Sequence, residues 1–387
     1  MAEKINVALI GYQFMGRTHS NAYRQLRHFF DPPLLPQMEV IVGRNEAAVS
    51  ATADKLGWRS YATDWQQVLK RDDIGIVDIS SPGNTHYPIA MAAAAAGKHI
   101  ICEKPLANTL DQAIEMAEAA EKAGVRTLTN FNYRFVPAVQ LAKRFIDEGR
   151  LGEIRHYRGI YLQDWIMDPD FPLVWRLRKE LSGSGALGDI AAHNIDLARY
   201  LVGDLEEVSA ADKTFIKERP LPDSSEGAWG ATGKGPRGEV TVDDAVIVIG
   251  RFKNGALGTF EATRFAAGRR NYNAFEINGS RGSISFNLER LNELEYFCLD
   301  DPEFAQGFRT INVSGGAFGD YAAAWWPAGH IIGYEHTFVH SVLEFVTAIA
   351  EEREAVPSFR EGARTQATLE AVARSAASRK WESIPQL

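Results

Sequence analysis

Two segments of this sequence hold residues whose types and spacing could move protons. The first is the tripeptide Glu103-Lys104-Pro105, which directly follows the apolar run of residues 98–102. The carboxyl end of a parallel strand faces the crevice in which ligands bind. An ammonium group there can polarise a carbonyl or relay a proton from an alcohol. A lone exposed lysine is more often only a solvated charge, so Lys104 needs a partner to become a candidate.

The second segment, residues 183–196, is rich in glycine and then takes a helical pattern. Asp189 and His193 are four residues apart, which predicts that they share one face of a helix. An imidazole can accept an alcohol proton near neutral pH, and the carboxylate can orient a substrate. The alternative is a capping aspartate and a core histidine. Asp196 could complete a metal face, but no second ligand cluster stands out, so no metal is expected.

A glycine turn near the start of the chain predicts a nucleotide site. The apolar run of residues 5–10 leads directly into Gly-Tyr-Gln-Phe-Met-Gly, residues 11–16, and then into a helical pattern. Gly11 suits the tight turn and Gly16 the close packing of helix on strand, whereas Gln13 replaces the second glycine of the dinucleotide fingerprint. We expect a pyrophosphate at the helix N-terminus, where amides and the helix dipole favour anions.

The end of the second expected strand bears on the choice of cofactor. An acidic residue there would bind the ribose 2′-hydroxyl of NAD, whereas a small residue followed by arginine accommodates the 2′-phosphate of NADP. The chain has Gly43 and Arg44 at this place. The cofactor is therefore NAD or NADP, with a lean towards NADP. In the alternative interpretation, Arg44 only covers the adenine or starts the next helix.

Strand-like and helix-like patterns predict an α/β chain with two domains. Their alternation over residues 1–130 predicts a Rossmann domain with a doubly wound parallel sheet. Residues 131–360 predict an α+β domain for substrate binding and oligomerisation, with a large, mostly antiparallel open sheet. A helix at residues 361–380 is expected to pack back on the first domain, and residues 220–238 to form a loop or flap. One uncovered sheet face predicts a homodimer or homotetramer.

Composition excludes several other classes of protein. The 387 residues are 45% hydrophobic and 24% charged, as in ordinary globular proteins. A net charge of -8 argues against nucleic acid as a partner. Cys102 and Cys298 are too few for a disulfide framework, which favours a reducing, cytoplasmic setting. No signal peptide or transmembrane run is recognisable, so no membrane partner is expected.

The combination of motifs resembles the Gfo/Idh/MocA family over essentially the whole chain. The segments that carry the resemblance are the glycine turn, Glu103-Lys104-Pro105, Asn-Phe-Asn-Tyr-Arg at 130–134, Gly188-Asp189 with His193 and Asp196, and residues 359–362 with Trp381 and Pro385. The resemblance implies an NAD(P)-dependent oxidoreductase that transfers a hydride to or from a ring carbon of a sugar, inositol, glycoside or anhydro-sugar. It also implies that Lys104, Asp189 and His193 are catalytic.

The resemblance extends to the ligand contacts. The cofactor-binding residues that it implies or the patterns indicate are Gly11, Gln13, Phe14, Met15, Gly16, Gly43, Arg44, Ser81, Pro82, Asn84, His86, Glu103, Lys104, Asn130, Asn132, Trp175 and Arg176. The substrate-binding candidates are Lys104, Tyr133, Gln163, Trp165, Asp189 and His193. Two alternatives remain: an imine, enone or dihydrodiol-type reductase of the same fold, and a non-catalytic nucleotide-sensing regulator. The lysine and the Asp–His pair favour alcohol–ketone chemistry over both.

Overall fold

The structure is a computed structural model that describes residues 3–223, 233 and 235–387. It divides the chain into two compact units. The first unit comprises Met1–Asn132, Gly333–Gln366 and Leu387, and the second comprises Tyr133–Ile332 and Ala367–Gln386. Most of the expected flap, residues 224–232 and 234, lies outside the described residues.

The first unit is built on a six-stranded parallel sheet in the order β3-β2-β1-β4-β5-β6. Its elements in chain order are β1 (Glu3–Ile10), α1 (Phe14–Phe29), β2 (Leu34–Val42), α2 (Glu46–Leu56), β3 (Ser60–Ala62), α3 (Trp65–Leu69), β4 (Ile74–Ile79), α4 (His86–Ala95), β5 (His99–Cys102), α5 (Leu110–Ala123) and β6 (Thr127–Thr129). Strands β4, β5 and β6 and the second halves of β1 and β2 are buried on both faces, as apolar runs between helices predict. The strand order reverses between β1 and β4, where α/β sheets bind ligands.

The second unit contains a nine-stranded sheet in the order β16-β15-β14-β13-β7-β12-β11-β8-β17. Its elements up to residue 332 are α6 (Pro137–Asp147), β7 (Ile154–Leu162), α7 (Lys179–Ser182), α8 (Ala192–Leu201), β8 (Leu205–Lys213), β9 (Glu218–Pro220), β10 (Arg237–Glu239), β11 (Ala245–Phe252), β12 (Leu257–Thr263), β13 (Tyr272–Gly279), β14 (Gly282–Asn287), β15 (Glu293–Cys298), β16 (Arg309–Asn312) and α9 (Asp320–Ala323). Among the described strands of this sheet, only β7 and β12 pair in parallel. The α/β fold class, with its Rossmann sheet and mostly antiparallel second sheet, is confirmed.

Near the last two helices, the boundaries between the two units lie at places that the sequence did not indicate. Helix α10 (Tyr334–Ala350) belongs to the first unit and packs on α1 and β2, where Phe338 meets the ring of His19. Helix α11 (Phe359–Ser378) begins in the first unit and continues in the second, which ends with β17 (Glu382–Ser383). The structure therefore does not divide the chain at residue 360, and only the start of α11 joins the Rossmann unit.

One face of the large sheet is covered by helices within the second unit. Helix α8 contacts β7, and α6 contacts β14 and β15. Strand β11 alternates accordingly, with Val246 and Val248 buried and Ile247 and Ile249 exposed. Among the described residues, no helix is long and apolar enough to cross a membrane. No group of three His, Cys, Asp or Glu side chains within that part of the chain could hold a metal ion.

Candidate active site

The turn between β1 and α1 can hold a pyrophosphate. Gly11 has a φ of +111°, and a Cβ on it would lie 2.7 Å from the carbonyl of Ser80. A Cβ on Gly16 would lie 2.2 Å from the Gly11 oxygen, so both positions require glycine. Gln13 precedes the helix, is exposed, and makes no side-chain cap to it. The first amides of α1 thus point to a cradle that suits the phosphates of a dinucleotide.

The residues after β2 lack an acid, as the sequence indicated. The Gly43 amide donates to the carbonyl of Ala62 at 3.0 Å, and Arg44 is exposed. A Cβ on Gly43 would lie 2.2 Å from the ring of Tyr12. Gly43 therefore has a packing reason of its own, which is independent of any phosphate on the ribose. The expected preference for NADP therefore rests on Arg44, whose positive charge could pair with the 2′-phosphate.

His86 joins the loops that follow β4 and β5. Its Nε2 lies 2.9 Å from the carbonyl oxygen of Ser81, and its Nδ1 lies 3.1 Å from that of Pro105. The ring is buried, and burial lowers its pKa. Both ring nitrogens face protein carbonyls, so His86 supports the ligand edge through the two loops. Pro82 is half-buried and Asn84 is exposed at the same edge.

Lys104 stands at the end of β5 above a buried polar network. The carboxylate of Glu103 faces His19 Nε2 at 2.9 Å and accepts from Asn130 Nδ2 at 2.7 Å. His19 Nδ1 lies 2.8 Å from Asp78, at the end of the neighbouring strand β4. Lys104 itself is half-buried. The strand ends that carry the candidate lysine are thus tied together by charged side chains beneath them.

The charge of this network follows from its two carboxylates. Burial alone would lower the pKa of His19, but the charges and hydrogen bonds of Asp78 and Glu103 outweigh burial and raise it to about 10. The imidazolium in turn holds the pKa of Glu103 below its usual value, although burial opposes this. Asn130 and Asn132 are buried, and the latter donates to Thr337 at 2.9 Å. The side chains of Glu103 and both asparagines thus contact protein groups beneath this edge of the sheet.

In the second unit, the segment before α8 is one turn of π-helix, Leu187–Ala191, and Asp189 lies within it. Such turns are rare and occur mostly at functional sites. The segment is anchored by Asp243, whose carboxylate accepts from the amides of Gly185 at 2.7 Å and Leu187 at 2.8 Å. The expected single α-helix is thus a π-turn that continues into α8, with Asp189 and His193 on either side of the junction.

His193 is buried against aromatic rings. Its ring lies 4.4 Å from that of Tyr133 and 5.9 Å from that of Tyr161, measured between centroids. A row of hydrogen bonds continues from there: the Tyr133 and Tyr161 hydroxyls lie 2.9 Å apart, and Tyr161 donates to Asn271 Oδ1 at 2.7 Å. Gln163 donates to the same oxygen, and its own oxygen accepts from Trp165 Nε1, both at 2.9 Å. Four predicted substrate residues are thus brought together.

Asp189 lies between two guanidinium groups. Its Oδ1 is 4.0 Å from Arg176 Nε, and its Oδ2 is 3.6 Å from Arg264 Nη1. Arg176 also stacks on the ring of its neighbour Trp175, with the guanidinium carbon 4.3 Å from the centroid. Positive charges at these distances stabilise the carboxylate form. The chemistry that this arrangement supports is the binding of a hydroxyl by an anionic acceptor.

Asp196, one turn further along α8, has a different task. Arg134 donates to both of its oxygens, at 2.7 and 2.6 Å, and both side chains are buried. This bidentate pair holds the Asn132–Phe135 turn against α8, and thereby the ring of Tyr133 next to His193. Asp196 therefore pairs with Arg134 and stabilises the local structure. Its spacing from Asp189 and His193 could also have indicated a metal ligand.

Comparison with known proteins places the chain in a family. A family model described as oxidoreductase family, NAD-binding Rossmann fold, matches residues 5–131, and one for the GFO/IDH/MocA C-terminal domain matches residues 139–285. Levoglucosan dehydrogenase of Pseudarthrobacter phenanthrenivorans is 45% identical over 389 residues, which cover 100% of this chain and 99% of the relative. The chain belongs to the GFO/IDH/MocA oxidoreductase family. It is an NAD-binding oxidoreductase, as its motifs indicated.

Other relatives fall in the same family. Myo-inositol 2-dehydrogenase of Thermotoga maritima is 28% identical and covers 72% of this chain and 74% of its own. A solved levoglucosan dehydrogenase in complex with NADH and L-sorbose has a TM-score of 0.94 at 44% identity, with 100% of both chains covered. An oxidoreductase domain protein from Kribbella flavida has the same TM-score at 48% identity, again with 100% of both chains covered.

Several residues of this GFO/IDH/MocA chain were not recognised from its sequence as site residues. They are His19 and Asp78 beneath Lys104, and Asp243, Arg264 and Asn271 around Asp189 and His193. His19 carries a signal, because it lies three residues after Gly16 on the face of α1 that packs on the sheet. The other side chains come from strand ends far along the chain, and only the fold brings them to the site.

Proposed function

We propose that the enzyme oxidises a ring alcohol of a neutral cyclic sugar, with Lys104, Asp189 and His193 as its catalytic residues. The observation that carries this proposal is the junction of the π-turn with α8, where the turn holds Asp189 between two guanidinium groups and the start of α8 holds His193 against Tyr133. Next to it, hydroxyl, amide and indole groups form a continuous row. That combination suits a ligand with several hydroxyls and an apolar ring face.

Each catalytic residue has a separate part in this proposal. NAD(P), when bound in its oxidised form, would accept the hydride in this oxidation. An alcohol releases its hydride readily only if its proton also leaves, so His193 accepts that proton and Lys104 stabilises the oxygen or relays the proton. Asp189, with its positive neighbours, accepts a hydrogen bond from a sugar hydroxyl and so orients the ring.

The substrate class follows from the row of polar groups. Tyr161, Gln163 and Asn271 are uncharged donors and acceptors, and the positive charges of Arg176 and Arg264 are directed at Asp189. This favours a neutral sugar over a phosphorylated or acidic one. The relatives include a levoglucosan dehydrogenase, and one of its solved complexes contains NADH and levoglucosan. We therefore propose levoglucosan, an anhydro-sugar, as the leading substrate, ahead of simple glycosides and inositols.

The test is absorbance at 340 nm with both cofactors, oxidised for a panel of sugars and reduced for a cyclic imine and an enone. The sugars are levoglucosan, methyl glucosides, myo-inositol, and a sugar phosphate as negative control. We expect oxidation of levoglucosan and none of the phosphate. If cyclic imines or enones are reduced but no sugar is oxidised, the alternative reductase activity replaces the proposal. If cofactor binds without any turnover, a nucleotide-sensing role replaces it.

The cofactor lean gives a prediction at Arg44. If Arg44 contacts a 2′-phosphate, the wild type should prefer NADP. Arg44→Ala should then lower kcat/KM for NADP at least tenfold, about 1.4 kcal/mol, and leave that for NAD almost unchanged. The matched control is Arg59→Ala, an exposed arginine before β3 that pairs with Glu39. A wild type that prefers NAD tenfold would refute the expected preference for NADP. Two solved levoglucosan dehydrogenase structures contain NADH, so a preference for NAD is the outcome to test most carefully.

We also propose that a second copy covers the open face of the nine-stranded sheet. Ile247, Ile249 and Leu257 are 60%, 50% and 51% exposed on neighbouring strands of that face. Arg158 and Glu261 add exposed charges of both signs, which makes the face self-complementary in a symmetric pair. Both cysteines are free thiols, in keeping with the cytoplasmic setting that we propose for this oligomer.

Light scattering should show a dimer or tetramer at micromolar concentration, and Ile247→Glu with Ile249→Glu should reduce its mass. Two buried carboxylates in an apolar contact cost several kcal/mol, enough to separate subunits. Val356→Glu, at a half-exposed valine in the first unit, is the control and should leave the mass unchanged. A wild type that is monomeric at this concentration would contradict the proposal.

A further inference from the structure

Arg264 is a fully buried arginine directly after β12 in the second unit. Its Nη2 donates to the main-chain carbonyl of Asp243 at 3.0 Å, and its guanidinium carbon lies 5.7 Å from the centre of the Trp165 ring. Among the described residues, its Nε and Nη1 have no hydrogen-bond partner. Buried polar groups in proteins are nearly always paired, so these two donors require an explanation.

The surroundings of Arg264 show where its charge acts. Nη1 lies 3.6 Å from Asp189 Oδ2, which is too long for a hydrogen bond but well within the range of a strong electrostatic contact. The loop before β11 contains Asp243, which accepts from Arg264 through its main-chain carbonyl. The same loop holds the π-turn, because the Asp243 carboxylate accepts from the amides of Gly185 and Leu187. The loop and the turn approach so closely that a Cβ on Gly185 would lie 1.8 Å from the Asp243 carbonyl.

Arg264 is therefore fixed relative to the backbone that carries Asp189. Its main-chain amide also donates to Asp244 at 3.1 Å, so backbone and side chain are both held by the Asp243–Asp244 pair. Arg176, by contrast, lies on a short 310 turn, Trp175–Leu177, and is partly exposed. Arg264 is shielded from water, whereas the Arg176 side chain is 23% exposed, and a buried charge acts with less screening.

We propose that Arg264 is a positioning residue that holds the Asp189 carboxylate ready to accept a hydrogen bond from one sugar hydroxyl, and that it thereby sets selectivity for that hydroxyl. At 3.6 Å the Arg264 contact orients the carboxylate electrostatically and does not take up an acceptor site as a hydrogen bond would. The inference rests on the proposed function, because it assigns to Arg264 the selectivity of that same site. Neither the sequence motifs nor the family resemblance assigns this arginine a role.

The test compares levoglucosan with its derivatives that lack one ring hydroxyl, for the wild type, Arg264→Met and Arg264→Lys. For one deoxy sugar, the wild type should lose about tenfold to a hundredfold in kcat/KM, since a hydrogen bond to a charged group is lost. Arg264→Met should lose a similar factor with levoglucosan, mainly through KM, and almost nothing further with that deoxy sugar. Arg264→Lys, which keeps the charge, should recover part of the selectivity.

A double-mutant cycle separates positioning from general damage. If Arg264 acts through Asp189, Arg264→Met should have little effect on kcat/KM in an Asp189→Ala background. The control Arg281→Met removes an exposed arginine that pairs with Asp300, and it should change nothing. Equal losses of kcat/KM with both sugars, or additive losses in the double variant, would overturn the role of Arg264. A wild type that oxidises no sugar of the panel would instead overturn the proposed function.

Discussion

Replacing either Lys104 or His193 with alanine should lower kcat by at least a hundredfold while the nucleotide still binds. A positioned proton-transfer group typically contributes a factor of about 10² to 10⁴. Lys104 follows β5 at the carboxyl-terminal edge of the parallel sheet, and His193 is held against Tyr133 at the start of α8. Asp189→Ala should act mainly on KM, because a carboxylate that orients the substrate does not itself move the proton. The measurements are steady-state kinetics with the best sugar of the panel and cofactor titration by fluorescence.

Matched variants separate chemistry from packing. Lys122→Ala on α5 and His28→Ala on α1 remove exposed residues of the same types and should retain full activity. Lys104→Arg keeps the positive charge, but a guanidinium gives up its proton far less readily than an ammonium group, so this variant should remain slow if the lysine relays a proton. A near-normal kcat for Lys104→Ala or His193→Ala, with an unchanged melting temperature, would return that residue to a solvated or core role.

The Rossmann unit could be predicted in detail because its signals are local. Each long strand is an apolar run bounded by turn residues, and Gly11 and Gly16 occupy turns that a Cβ would block. Two strands, β3 in this unit and β8 in the second, lack such a local signal. Strand β3 has three residues with an exposed tyrosine in the middle, and β8 is rich in charged residues, so neither has a strong apolar pattern. A parallel edge strand can be short because one neighbour suffices to pair it.

The candidate substrate site was predicted only in part, because the residues that support it are distant in sequence. A π-turn and an α-helix have the same apolar pattern over five residues, so the sequence could not distinguish them around Asp189. Arg264 follows a strand as an ordinary charged residue and becomes a site residue only through the parallel pairing of β12 with β7. Asn271 likewise reaches Tyr161 and Gln163 because β13 lies on the other side of β7. Tertiary pairing, which no local pattern encodes, made these contacts.

Replacing His19, the buried imidazolium beneath Lys104, should cause a large loss of stability. His19 lies between Asp78 and Glu103, which raise its pKa to about 10 against the opposing effect of burial. In the unfolded chain its pKa should be near 6.5. A folded-state pKa above the unfolded one stabilises the protein fully below about pH 6.5, and the contribution is lost as the pH rises through about 10. His19→Gln leaves two buried carboxylates without their cation, which should cost about 3–5 kcal/mol at pH 7.

Nitrogen-15 NMR of histidine-labelled protein tests this directly. At pH 8, one ring should give imidazolium signals that vanish in His19→Gln, whereas His86, whose pKa is lowered by burial, should stay neutral. The melting temperature of the wild type should exceed that of His19→Gln by a margin that narrows between pH 6.5 and pH 10, since the imidazolium loses its proton over that range. The control is His99→Gln, because burial lowers the pKa of His99, as it does that of His86. The difference in melting temperature between the wild type and His99→Gln should not narrow over this pH range. A neutral His19 ring at pH 8 would show that Asp78 and Glu103 do not hold the charge that supports Lys104.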